Sequence, residues 1–172
     1  GLFPAINEAL FKNNSTMGLI SMATKGITAA FNKDVLKIME MLIDVEFKIF
    51  KGLDVKVLFL QNVVTDFLLG YNIKDVFVHY CEYVRKKYKV TPGFITLNMP
   101  YMKAKFEEWG IEEVCICSSI NAAGFNMYPT KEEYERVIAA NDSNKYQLMA
   151  MNVLVSGSIG VQKSFDYINK LN

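Results

Sequence analysis

The chain has 172 residues, 51% of them hydrophobic and 13% aromatic, with 19 basic and 18 acidic side chains and a formal net charge of +1. That length suits one domain able to bury a real core, and the balanced charge excludes steering of nucleic acid or an anionic membrane surface by bulk electrostatics. The apolar surplus points to extensive burial, to a homo-oligomer interface, or to both.

Cys81, Cys115 and Cys117 form an odd set without the spacing of a small disulfide scaffold, so reduced thiols in a cytoplasmic protein are expected. Cys115 and Cys117 lie two apart in a strand pattern and share one face of it. The chain has a single histidine and no further thiols nearby. Small core residues are therefore the reading there, and neither a metal site nor a cofactor is expected. No charge-free run reaches membrane-spanning length, and Gly1-Leu2-Phe3 lacks the basic start of a signal peptide. A chain opening on glycine instead of methionine suits a processed product, a tag remnant or a piece of something longer.

In chain order, residues 4–12 read as a short helix with Pro4 in its first turn and Asn13-Asn14-Ser15 ending it. Residues 18–23 read as a strand running into Thr24-Lys25-Gly26. From Asp34, taken as an N-cap, a strongly apolar helix extends to about Lys51 and stops at Gly52. Its apolar residues surround most of the cylinder, as on a helix covered by a second surface such as another subunit. Residues 55–60 form the next strand, and residues 61–71 carry Asp66 through a loop or short helical turn.

Asn72 is read as capping a helix in which Ile73, Val76, Phe77, Tyr80, Cys81 and Val84 recur at the spacing of one buried face. His79 falls off that face and reads as a surface histidine. Pro92-Gly93 turns the chain into a strand at residues 94–97. Asn98 caps a helix with Met102, Phe106 and Trp109 inward and Gly110 as its stop. Residues 114–118 are the fourth strand. A long connection follows, then a capping box at Thr130-Lys131-Glu132-Glu133 opening a helix with Tyr134, Val137 and Ile138. The apolar run from Tyr146 is the last strand. It leads through Ser156-Gly157-Ser158 into an amphipathic segment with Val161, Phe165, Ile168 and Leu171.

This is a chain of about five βα units at the spacing parallel crossovers need. The expected fold class is α/β: parallel βα units forming a partial or incomplete (β/α)8 barrel, or alternatively a five-stranded flavodoxin-like open sheet. The domain expectation is one α/β domain over residues 1–172, or a fragment of a longer barrel. The strand ends are regularly polar, at Thr24-Lys25, Gln61-Asn62, Thr96-Asn98, Ser118-Asn121 and Asn152-Ser156. The cadence from Pro92-Gly93-Phe94-Ile95-Thr96-Leu97-Asn98 through Ser118-Ser119-Ile120-Asn121 to Ser156-Gly157-Ser158 resembles the C-terminal part of a (β/α)8 barrel enzyme. The resemblance is one of layout and names no particular family.

On the barrel reading those ends surround one mouth. Ser156, Gly157 and Ser158 resemble its phosphate-binding end, where backbone N–H groups and hydroxyls hold an anion; the same turn is also an ordinary helix entry. Lys25, if kept dry, would have the lowered pKa that a Schiff-base amine needs, and otherwise is a solvated loop lysine. Asp66 is the nearest acidic candidate for a general base or a hard-metal ligand, or else a helix cap. Asn62, Thr96, Asn98, Ser118, Asn121 and Asn152 suit hydrogen bonds to sugar or carboxylate groups, although such residues also satisfy loop backbone or cap helices, as expected above all of Asn98. Gly124-Phe125-Asn126-Met127 is a candidate lid, or a surface loop pinned by its two apolar residues.

Two function classes follow. One is a barrel-type enzyme acting on a small phosphorylated or carboxylated metabolite by lyase, aldolase or isomerase chemistry through Lys25 and Asp66. The other is a non-catalytic oligomeric subunit or assembly module that uses the apolar surplus. The partners expected are a small-molecule substrate and further copies of the chain, with no nucleic acid and no membrane.

Overall fold

The computed structural model describes residues 33–171. The readings of the helix at residues 4–12, the strand at residues 18–23 and Lys25 lie outside the described residues. The chain divides into two compact units, Gly1–Val55 and Lys56–Asn172.

In the first unit, helix α1 spans Lys33–Phe47 and is followed by a 3-10 turn at Lys48–Phe50. Asp34, expected as the cap, lies inside the first turn instead. Gly52 takes a left-handed φ of 88° beyond the 3-10 turn, where a Cβ would be strained. No residue of α1 whose burial is described is fully buried. Met41 and Val45 of α1 and Ile49, Phe50 and Leu53 beyond it are exposed, while Val35, Leu36, Ile38, Met39, Leu42, Ile43 and Phe47 are half-buried.

The second unit is a parallel α/β open sheet. Its strands are β1 (Val57–Leu60), β2 (Thr91–Thr96), β3 (Val114–Ser119) and β4 (Tyr146–Met151). Its helices are α2 (Asn62–Gly70), α3 (Lys74–Tyr88), α4 (Met99–Trp109), α5 (Lys131–Ala139) and α6 (Val161–Asn169). The strands lie side by side in the order β1-β2-β3-β4, all parallel. Every connection is a helical crossover, as parallel neighbours require. Among the described strands the order never reverses. That is the order of neighbouring units in a barrel, and equally of one flank of a doubly wound sheet.

Register sets the two faces. Leu60, Phe94, Ile116 and Leu148 stand in one row, with Thr96, Ser118 and Ala150 on the same face nearer the carboxyl ends. Against that row pack α3 and α4. Phe77 lies 5.5 Å from Phe94, 5.4 Å from Phe106 and 5.6 Å from Trp109 between ring centroids, and Phe94 and Phe106 are 5.0 Å apart. Phe77, Phe94 and Phe106 have no exposed surface. Val76, Phe77, Tyr80, Cys81 and Val84 form the buried side of α3, as the spacing predicts. Cys115 and Cys117 do share the other face and are buried; burial pushes both thiols up, Cys115 to about 11, so neither is a ready nucleophile.

Four local readings are corrected. Residues 62–70 are a full helix, α2, not a loop or single turn. Asn72 does not cap α3. With φ of 57° it closes α2, donating its N–H to Leu69 O while Ile73 donates to Leu68 O, the paired bonds of a Schellman end. Pro92 and Gly93 lie within β2. The pairing with β3 begins only at Gly93, so the missing N–H of Pro92 costs that ladder nothing. Gly93 is required because a Cβ there would meet the Phe59 ring and Val57 at 2.6 Å. In α6 the inward residue is Ser164, while Val161 and Phe165 are 60% and 53% exposed.

Candidate functional site

Parallel strands put all their carboxyl ends on one edge of the sheet, and that edge is where the polar strand ends fall. β1 ends against α2, where the Thr65 hydroxyl donates to Leu60 O at 3.1 Å. This holds Asp66 beside the end of β2. The Thr96 hydroxyl donates to Asp66 Oδ1 at 2.5 Å, and the Leu97 N–H donates to Oδ2 at 3.0 Å. Burial raises the Asp66 pKa above the usual carboxylate value, and the bonds from Thr96 and Leu97 oppose that rise. Each carboxylate oxygen retains a lone pair beyond these bonds, so an oriented acceptor is the chemistry the group offers.

A second knot lies one strand further on. Ser118 Oγ donates to Thr96 O at 2.6 Å and stands 2.9 Å from Tyr134 Oη. The Tyr134 hydroxyl is 2.9 Å from Leu97 O and accepts from the Met99 N–H at 3.1 Å. Tyr134 comes from α5, whose start is fixed by Thr130 accepting from the Glu133 N–H. The Glu133 carboxylate reaches Arg136. Burial pushes the Tyr134 phenol up, which keeps it a neutral hydrogen-bonding hub.

The residues expected around a mouth fall into three groups. Thr96, Ser118 and Asn121 are fully buried. Thr96 and Ser118 are engaged as above. Asn121 closes its own loop, donating to Phe125 O and accepting from the Phe125 N–H, both at 2.9 Å. This pins the 124–127 segment from inside, with Met127 buried and Phe125 exposed. Asn98 caps α4 by accepting from the Tyr101 N–H, and Asn62 is the first residue of α2. Asn152 is exposed, at a left-handed φ of 54°, and donates to Ser119 Oγ at 2.8 Å.

Ser156, Gly157 and Ser158 are exposed, but they do not open α6. They lie in and after a 3-10 turn, Val155–Gly157, and α6 starts later with Gly160 as its N-cap. The Gly157 and Ser158 N–H groups donate to Leu154 O and Val155 O within that turn.

The Tyr134 hub and the Ser119–Asn152 pair were missed from sequence. The available signal was a tyrosine at an inward helical position, whose hydroxyl needs a partner wherever it is buried. The amino ends of β2, β3 and β4 carry an open depression of about 250 Å³, lined by Thr91, Glu113, Val114, Asn144, Lys145 and Gln147. It lies at the opposite edge from the polar strand ends, and the Lys145 ammonium on its rim is 2.6 Å from Glu112. Among the described residues no cluster of His, Cys, Asp or Glu could hold a metal ion, and no helix is long and apolar enough to cross a membrane. No known protein family, no curated protein and no solved structure matches the chain.

Proposed function

We propose that the chain is the βα part of a barrel-type enzyme whose carboxyl edge takes a small phosphorylated or carboxylated metabolite. One observation carries this reading. Consecutive parallel strands in unreversed order align their carboxyl ends, and ligands of parallel α/β folds bind at those ends. In this reading Asp66 serves as the oriented base or acceptor, set by Thr96 and Leu97. Asn152 with Ser119, together with Asn98 and Asn62, supplies hydrogen bonds to the ligand. The buried trio Thr96, Ser118 and Asn121 holds the rim rigid without touching the ligand. Lyase or aldolase chemistry would need a Schiff-base amine, and isomerase chemistry needs Asp66 alone as base.

Titration of labelled protein with a panel of phosphorylated and carboxylated carbonyl metabolites tests the binding step. Shifts are expected at the side-chain amides of Asn98 and Asn152 and at the Leu97 N–H. Shifts confined to Thr91, Lys145 and Gln147 would move the site to the other edge and end this reading. Borohydride trapping of the same panel separates the two chemistries. An adduct absent from the parent removes the Schiff base and leaves the isomerase arm.

A further inference from the structure

Among the described strands β4 is the last of the sheet on its side, and the alternation of its backbone says which groups are left over. Lys145 O accepts from Val114 N–H, and Met151 O accepts from Ile120 N–H, so the odd-numbered residues of β4 point to β3. Leu148 and Ala150 therefore turn their N–H and C=O away from the sheet, and among the described residues no strand lies there. Ala150 is exposed and Met149 is 45% exposed.

Sheet edges are ordinarily blunted by charge, proline, a bulge or extreme shortness. β4 has none of these. It runs six residues, Tyr-Gln-Leu-Met-Ala-Met, without a charged side chain, proline or interruption of register. Unpaired backbone groups in a straight row ask for an extended strand, and an uncharged edge meets its own copy without like-charge repulsion. A chain with net charge of only +1 adds no long-range repulsion.

We propose that β4 pairs antiparallel with β4 of a second copy about a two-fold axis through Met149, making one continuous sheet. In that register Leu148 of each copy exchanges N–H···O bonds with Ala150 of the other, which uses the groups left over. Met149 faces its own symmetry mate as a non-hydrogen-bonded pair, with Cα atoms about 4.5 Å apart. Its exposed side chain is then covered by an identical thioether. This pairing leaves the carboxyl edge free for a metabolite; it fits an open sheet and excludes a closed barrel, in which β4 would pair with a further strand on that side.

The register makes the test specific. Parent protein at micromolar concentration is expected to be a dimer by light scattering. Met149→Cys in a Cys117→Ala background should cross-link under mild oxidation, since about 4.5 Å between Cα atoms fits a disulfide. The background is needed because Cys117 is the registered neighbour of position 149 on β3. Met151→Cys in the same background is expected not to cross-link to itself, because its mate lies roughly 13 Å off along the strand. Ala150→Pro removes an outward N–H that the sheet does not use, so a monomer with the parent's circular dichroism is expected. A monomeric parent, a dimer that fails to cross-link at position 149, or a folded Ala150→Pro dimer would each overturn the pairing. If Ala150→Pro does not fold, the contrast between positions 149 and 151 decides alone.

Discussion

The middle of the sheet and its last unit are written in similar letters and end up in different states. β3 is buried at all six positions, whereas β4 is buried only at Tyr146. The helix α3 hides its whole apolar side, whereas α6 leaves Val161 and Phe165 in water. Hydrophobic content does not separate these pairs. What separates them is that, among the described strands, β3 has a neighbour on each side, while β4 has one on one side only. Burial here follows place in the sheet, and periodicity describes only what each element could bury.

The largest test of that contrast is Phe77→Ala. Its ring touches Phe94, Phe106 and Trp109 and has no exposed surface. Truncation in such a setting costs about 3–5 kcal/mol from lost burial and the cavity left behind. The expected result is a large drop in the urea midpoint with an unchanged slope. A loss below about 0.5 kcal/mol, the level of an ordinary surface change, would mean that the middle of the sheet is no better sealed than its edge.

Tyr134→Phe sharpens the comparison at the next level, because it removes one atom and leaves the packing. The hydroxyl accepts from Met99 N–H and joins Ser118 Oγ to Leu97 O. Without it the buried Met99 donor is unsatisfied, which costs about 1–3 kcal/mol. Tyr167→Phe in α6 is the matched control. Its hydroxyl donates to Glu135 at 3.0 Å in a half-buried position, and its loss should cost less. Equal losses for the two tyrosines would erase the distinction between the knotted carboxyl edge and the outer helix.

The parts legible from sequence were those fixed by short-range chemistry. The buried side of α3, the Asn98 cap and the Gly110 stop of α4, and the Thr130 cap of α5 each depend on residues within a few positions of one another. The hub at Tyr134 was not legible, since its partners lie as far as 37 residues away along the chain. The helix α2 was underread because Val63, Val64 and Thr65 are β-branched and weak helix formers. Tertiary bonds from Thr65 to Leu60 O and from Thr96 and Leu97 to Asp66 supply what propensity lacks. Pro92-Gly93 read as a turn because such pairs usually are. Only the register shows that the proline sits before the β3 ladder begins. Asp66 and the polar strand ends were found by position, and their mutual bonding required the fold.

Asp66 gives a smaller effect whose sign is informative. Its pKa is raised in the folded state by burial, despite the bonds from Thr96 and Leu97. The folded protein therefore holds this proton more tightly than the unfolded chain does. Its contribution is most favourable below the ordinary value of 3.8 and is lost as pH rises through the folded value. The stability of the parent relative to Asp66→Asn should thus decline with rising pH over that window and then level off. Urea midpoints of both proteins from acid to neutral pH measure it. A relative stability that grows with pH would show that the hydrogen bonds outweigh desolvation, making Asp66 a firm carboxylate instead of a poised one.

Phe165→Ala should do least, and that is its value. The residue is of the same type as Phe77, and it falls on the apolar spacing of its helix as Phe77 does, yet it is 53% exposed. The area it loses on truncation is already half in water, so the transfer term shrinks, and alanine is the better helix former. The two contributions oppose each other, and a net change within about 0.5 kcal/mol is expected. A cost approaching that of Phe77→Ala would show that α6 is covered in solution by a surface the isolated unit does not supply. The openness of the last unit would then be a property of the single chain and not of the protein at work.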